Sequence, residues 1–232
     1  MPQLKDKKKK LFFYIFLLML LSTINVNFNK IKKPSILTIK KINVNGLSYL
    51  NNLKVEKTLS TLLLKNIFFI KKKNLSKILD QNNLIESSSI KKIYPDLLSV
   101  NINKTDFLAI TYQENNKFII ASNGKLIPFI DVDFLHQKLP FVFGKVSNDY
   151  FINLKKIIDK SKFEYKEIKT FYFYPSNRVD IKTKDGILIK LPLINLSEAL
   201  RVANLIKKDD KFKNNKILDL RIANYIITSN EW

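Results

Sequence analysis

The sequence predicts an α+β protein with an apolar N-terminal helix, a small mixed module and a larger β-rich unit carrying two helices. Three observations predict it. A lysine-rich start runs directly into an unbroken apolar stretch over residues 11–21. Segments near residues 42–44 and 98–103 alternate apolar and polar residues at the period of two that marks a half-buried strand. The dipeptides Asn123-Gly124 and Asp185-Gly186 each sit between apolar segments, the strongest short-range hairpin signal.

The N-terminal element comes first. Lys5, Lys7, Lys8, Lys9 and Lys10 precede the apolar run, and Asn25 and Asn27 follow it. Residues 11–28 as a helix would measure about 27 Å, against roughly 30 Å of bilayer hydrocarbon. A cleaved signal peptide has a similar start, but it needs small residues at alternating positions before the cut. The first alanine is Ala109, so a retained single-pass anchor is the expectation. The lysines keep residues 1–10 in the cytoplasm, and the chain beyond a linker at 29–35 is extracytoplasmic.

Residues 36–105 read as the first exported unit. A strand over 36–44 ends at Gly46. Asn51 or Asn52 can cap a helix with Val55, Leu59, Leu62 and Leu63 on one stripe. Asn74 can cap a second helix carrying Leu75, Ile78 and Leu79. Two strands near 88–93 and 98–103 follow, joined across Tyr94-Pro95-Asp96. Three strands can bury one face beneath two helices.

Residues 106–228 read as the second unit, and 229–232 as the C-terminal end. Strands are predicted at 107–113, 117–122, 125–130, 167–174, 178–183 and 187–191, with a last one from 217 to about 228. Ser147 or Asn148 can cap a helix with Phe151, Leu154, Ile157 and Ile158 on one side. Asn195 can cap another, with Leu196, Ala199, Leu200, Ala203 and Ile206.

Composition removes whole classes of function. With no cysteine there is neither a disulfide framework nor a thiolate zinc site, and one histidine cannot build a His-rich centre. Four glycines cannot furnish a dinucleotide fingerprint or a P-loop. The formal charge is +21, yet only Arg178, Arg201 and Arg221 are arginines. Scattered lysines with so few arginines do not form a nucleic-acid footprint, so no nucleic acid is expected. His136 near Asp131 and Asp133 is read as a loop histidine, since proximity in sequence does not make a base and its orienting acid. No catalytic residue, metal or cofactor is expected. Arg178 with Asp180, and Asp219 with Arg221, fall on one face of their strands and read as surface ion pairs.

The order of these segments resembles the bacterial FtsQ/DivIB cell-division family, whose first exported module is a POTRA domain. The residues that carry the likeness are INVNGL at 42–47, KNIFFI at 65–70, SIKKIYPDLLSVNI at 89–102, SNGKLI at 122–127 and LPFVFG at 139–144. RVDIKTKDGILIKLP at 178–192 and ILDLRI at 217–222 are the most diagnostic. Lys104-Thr105-Asp106-Phe107 departs from the family's Glu-Arg at the start of the second unit.

The resemblance implies a non-enzymatic scaffold of the division septum in the inner membrane. It implies binding of the FtsB–FtsL coiled-coil pair outside the membrane, help in recruiting septal peptidoglycan synthases, and participation of the last strand in binding FtsB. Asp219, Arg221, Ile222, Asn224 and Tyr225 are the partner-binding residues this points to, on a strand spanning 219–228 whose edge another chain can extend. The alternative is a POTRA component of protein export or outer-membrane assembly. One such module, without a succession of amphipathic membrane strands, fits that less well.

Overall fold

The structure is a computed structural model, and it describes residues 3–22, 37–131, 138–212, 214–222 and 224–230. The first helix, α1 (Gln3–Ser22), takes in the lysine-rich tail as well as the apolar run. Lysine is a good helix former and nothing between Lys10 and Leu11 breaks the backbone, so the helix starts earlier than expected. Among the described residues no helix is long and apolar enough to cross a membrane. The apolar part of α1 covers about 16 Å at the helical rise, and residues 23–28 of the anticipated span lie outside the described residues.

The first module has the expected order. Strand β1 (Lys41–Asn45) leads to α2 (Tyr49–Leu59), a 3-10 turn at Ser60–Leu62, α3 (Lys72–Leu79), β2 (Ile85–Ile93) and β3 (Leu97–Lys104). The sheet order is β1-β3-β2, with β1 parallel and β2 antiparallel to the central strand. Val55, Leu59, Leu62, Leu75 and Leu79 pack with Val44, Ile90, Leu98, Val100 and Ile102 in one core. Leu63 does not join them and is exposed, because the 3-10 turn has already broken the helical stripe. The helix starts also move: Ser48 stands at the N-cap of α2, while Asn52 reaches back to both the N–H and C=O of Leu47. Lys71 rather than Asn74 precedes α3.

Gly46 has φ +114, and a Cβ placed there would lie 1.8 Å from the carbonyl oxygen of Ile102. Only glycine allows this close approach of the two chain segments.

The second unit is a nine-stranded sheet. Strands β4 (Phe107–Gln113), β5 (Asn116–Ala121) and β6 (Leu126–Pro128) form a meander at one end. Then come β7 (Phe141–Phe143), α4 (Asn148–Lys160), β8 (Ile168–Phe173), β9 (Val179–Thr183), β10 (Leu188–Lys190), α5 (Leu196–Lys208), β11 (Ile217–Asp219) and β12 (Ile227–Ser229). Their order is β12-β11-β10-β9-β8-β7-β4-β5-β6. Strand β7, only three residues long, shows no alternation in the sequence and is found through its parallel pairing with β4 and β8. Phe151, Leu154 and Ile158 of α4 and Ala199, Leu200 and Ala203 of α5 share one core with Phe171, Ile181, Ile189 and Leu218 of the sheet. Ser147 caps α4, its hydroxyl accepting the Tyr150 N–H. Asn195 stands before α5 with φ 58 and makes no side-chain cap. A capping side chain acts from an extended backbone, which this left-handed residue lacks.

The two units share a seam. Leu84 packs with Ile119, Ala121 and Ile127. The Asn123 amide donates to the carbonyls of Asn83 and Ile85 at 3.0 and 2.9 Å, and the Asn83 amide donates to the Leu126 carbonyl at 2.8 Å. Glu86 accepts from both Thr105 and Ser122.

Candidate partner-binding edge

A nine-stranded open sheet has two edge strands, β6 and β12. The first module sits against β6, through the Asn83 bond to Leu126 and the apolar seam around Ile127. The other edge, β12, has no further strand beside it among the described residues. An edge strand can take on another chain through its outward N–H and C=O groups.

The anticipated partner strand over 219–228 is two strands rather than one. β11 runs parallel to β10, and β12 returns antiparallel to β11, pairing Asp219 with Ile227 and Ile217 with Ser229. The chain therefore reverses between them. Asn224 has φ 63, which asparagine tolerates better than most residues, and the Tyr225 N–H donates to the Ile222 carbonyl. Of the five proposed residues, Asp219 closes β11, while Arg221, Ile222, Asn224 and Tyr225 lie in the reversal. The edge itself is formed by Ile227, Thr228 and Ser229, which sequence reasoning did not single out. A signal was present: Tyr225, Ile226 and Ile227 are consecutive and apolar, without the alternation a single strand would continue.

The reversal and α5 enclose a cleft of about 370 Å³. Its walls include Ile194, Val202, Leu220, Ile222, Tyr225 and Ile226. Leu193, Ile194, Ile222, Tyr225, Ile226 and Ile227 are all at least half exposed, an apolar concentration around one edge. Scattered apolar residues are ordinary on a surface, but a contiguous set marks an interaction site.

Charge is fixed beside it. Arg221 donates from Nε to Asp219 Oδ1 at 2.8 Å and from Nη2 to Oδ2 at 2.5 Å. The Asp219 carboxyl is held below its usual pKa by these bonds, against the opposing effect of burial, and the Arg221 guanidinium is raised in turn. Strand register puts Tyr172, Asp180, Lys190, Asp219 and Ile227 in one row across β8 to β12. Residues directly opposite share a face, so this row lies away from Val179 and Ile181, which belong to the helix-covered core. Asp180 corrects the expectation of a surface pair: it is 1% exposed and contacts Arg178 at 3.2 Å. Burial pushes its carboxyl up, and Arg178 only partly offsets that. Its neighbours on that face surround it: Arg178 reaches it while lying over the Tyr174 ring at 3.9 Å, and Tyr174 hydrogen-bonds to it.

His136 and Asp133 lie outside the described residues, as does the side chain of Asp131. Among the described residues no three His, Cys, Asp or Glu side chains come together as a metal site would require.

Comparison with known proteins fits this architecture. Residues 37–104 match the model of the FtsQ-type POTRA domain, and residues 109–221 match that of the FtsQ/DivIB cell-division protein C-terminal domain. The chain belongs to the FtsQ/DivIB family. It is 24% identical to cell division protein FtsQ of Bradyrhizobium diazoefficiens, over 64% of this chain and 44% of that protein. It is 30% identical to FtsQ of Rickettsia bellii, over 65% of this chain and 58% of that one. With cell division protein DivIB of Staphylococcus aureus it shares 22% identity, over 80% and 44% respectively. The chain thus spans about half the length of the curated relatives it matches. Both family models meet at the seam, and the second ends at Arg221, just before the chain reversal.

Proposed function

We propose that this FtsQ/DivIB family member is a non-enzymatic, single-pass scaffold of the divisome, with its N-terminus cytoplasmic and its folded body outside the inner membrane at the septum. Its partners are FtsB/FtsL-type coiled-coil division proteins, captured at the edge of β12, and the complex helps recruit septal peptidoglycan synthesis. No cofactor, metal or nucleic acid takes part. Family membership supports the divisome role. The observation that carries the binding site is the asymmetry of the sheet: one edge is covered by the chain's own first module, while β12 stands open beside an apolar cleft.

The division of labour follows from chemistry. Main-chain pairing along Ile227–Ser229 would supply the strand-to-strand bonds. Tyr225, Ile222 and Ile226 would supply apolar anchors, and aromatic anchors carry a disproportionate share of binding energy. Asp219 and Arg221, tied to one another, would set the charge at the rim and the register of approach.

The test is capture of the full chain with FtsB/FtsL-type partners from detergent extracts. Thr228→Pro removes a main-chain donor at the edge, and Tyr225→Glu places a charge among the anchors. Lys184→Glu, in the exposed β9–β10 turn, is the control. Loss of capture by both edge variants, with septal recruitment lost as well, supports the assignment. Wild-type capture by both would remove β12 from the binding site.

A further inference from the structure

The turn between α2 and α3 holds a second concentration of exposed apolar side chains, far in sequence from β12. Leu64 is 80%, Phe68 64% and Phe69 78% exposed. The two phenylalanine rings meet edge to face at 5.8 Å, so they form one projecting knob. Ile93 and Tyr94, in and after the end of β2, are also about half exposed. Lys92 of the same strand donates to the Phe68 carbonyl at 3.0 Å, bringing that strand end to the knob.

Cations surround it. Lys65, Lys71, Lys72 and Lys73 are exposed in the same loop and the first turn of α3. Lys40 lies at this end too, its main-chain N–H donating to the Asp96 carbonyl. Asp96 also lies at this end, and Lys40 approaches its carboxylate at 3.6 Å. Aromatic rings flanked by lysines suit the boundary between lipid headgroups and acyl chains, where the ring is buried and the cation meets lipid phosphate.

The position of the knob in the chain identifies its occupant. The Ile67 N–H donates to the Leu37 carbonyl at 2.8 Å, the Leu64 N–H to the Ile39 carbonyl at 2.9 Å, and the Ile39 N–H to the Lys65 carbonyl at 3.0 Å. The loop is therefore stitched to the segment by which the chain enters the first module. Fourteen residues, 23–36, separate that entry from the last residue of α1. Even fully stretched they could reach no more than about 50 Å, so this end of the folded body is the one tethered to α1.

We infer that the Leu64, Phe68 and Phe69 knob, with Lys65 and Lys71–Lys73, docks on the anionic outer surface of the bilayer in which α1 is anchored. This rests on the membrane-anchor reading of α1. Docking would fix the first module at the membrane and orient the body carrying β12. Each lysine contributes modestly, and the tether supplies the effective concentration that makes weak contacts sufficient.

The chain has no cysteine, so one introduced thiol gives a unique label. The full chain is reconstituted in vesicles of phosphatidylglycerol and phosphatidylcholine, with an environment-sensitive fluorophore at Leu64→Cys, Leu18→Cys or Lys184→Cys. Quenching by nitroxide-bearing lipids reads depth. Docking predicts strong quenching at 18, interfacial quenching at 64 and none at 184. It also predicts that Phe68→Ser with Phe69→Ser, or Lys71→Glu with Lys72→Glu, abolishes the signal at 64 while leaving that at 18. The ratio of docked to undocked protein should fall roughly fivefold per lysine removed. Quenching at 18 with none at 64 overturns docking and leaves the anchor intact. No quenching at either position overturns both. Quenching at 64 that survives all four substitutions overturns the assignment to these residues.

Discussion

Arg221 grips the carboxylate of Asp219 two residues earlier, with Nε and Nη2 each donating to it, and the chain turns back immediately afterwards. The pair closes β11 and holds the start of the reversal that delivers β12 to the sheet edge. Asp219 and Asp180 flank Lys190 across the sheet and respond to their surroundings in opposite ways.

Those opposite responses predict opposite pH dependences. The Asp219 carboxyl is lowered by Arg221, so its contribution is present above the ordinary carboxylate pKa of about 4 and is lost as pH falls through its own lower value. Asp180 is raised by burial, so the unfolded chain ionises it first and stability declines as pH rises from about 4 through the folded value. Asp219→Asn should flatten the acid limb of the stability profile and cost about 1 kcal/mol or less at neutral pH, since Arg221 is partly exposed. Asp180→Asn should change the slope in the other sense. Denaturant unfolding from pH 3 to 7 checks both, and slopes of the same sign would contradict the assignment.

Leu59 is fully buried at the end of α2, among Val44, Val55 and the β3 residues of the first core. Leu59→Asp exchanges a packed side chain for a charge without a partner and should cost several kcal/mol, roughly 3 or more. An unchanged thermal midpoint for the chain would show that α2 is packed otherwise.

Gly46→Ala brings a Cβ onto the Ile102 carbonyl, whereas at Gly186 there is nothing within 4 Å of the added atom. Both positions have positive φ, so both variants carry backbone strain of about 1–2 kcal/mol. The difference between them isolates the clash. Gly46→Ala should be clearly the more destabilising of the two in chemical denaturation; equal losses would argue against close approach at Ile102.

At the seam, Asn123 satisfies two carbonyls of the first module with one amide. Asn123→Ala leaves both without that donor and should cost about 1–3 kcal/mol. Calorimetry should then show the single unfolding transition of a coupled body broaden or split in two. A sharp transition at the wild-type temperature would mean the modules are joined mainly by Leu84 and its apolar neighbours.

Local signals carried much of the architecture. The alternation at Leu98, Val100 and Ile102 located β3, the Asn-Gly and Asp-Gly pairs located two reversals, and the stripes of α4 and α5 named their buried residues. The sequence offered Ser147 or Asn148 as the cap of α4, and the structure puts Ser147 there. Asn195 was not recognisable as a non-cap, because its left-handed backbone, φ 58, is not encoded by the residue type alone. The ion pair of Asp219 and Arg221 could be read from a spacing of two along a strand.

Periodicity and turn chemistry are local, acting over a few residues, and they were enough to specify the α+β class, both modules and nearly every helix. Parallel pairing of β1 with β3, of β7 with β4 and β8, and of β10 with β11 joins segments separated by long connections, and no short-range pattern encodes it. Tertiary order likewise decides that Asp180 is buried rather than on the surface and that one sheet edge is covered while the other is open, whereas β12 returns on β11 through a local antiparallel reversal. Burial and edge accessibility are properties of the assembled sheet. The same residues in an isolated strand would expose both edges equally, so the candidate binding site exists only once the tertiary order is set.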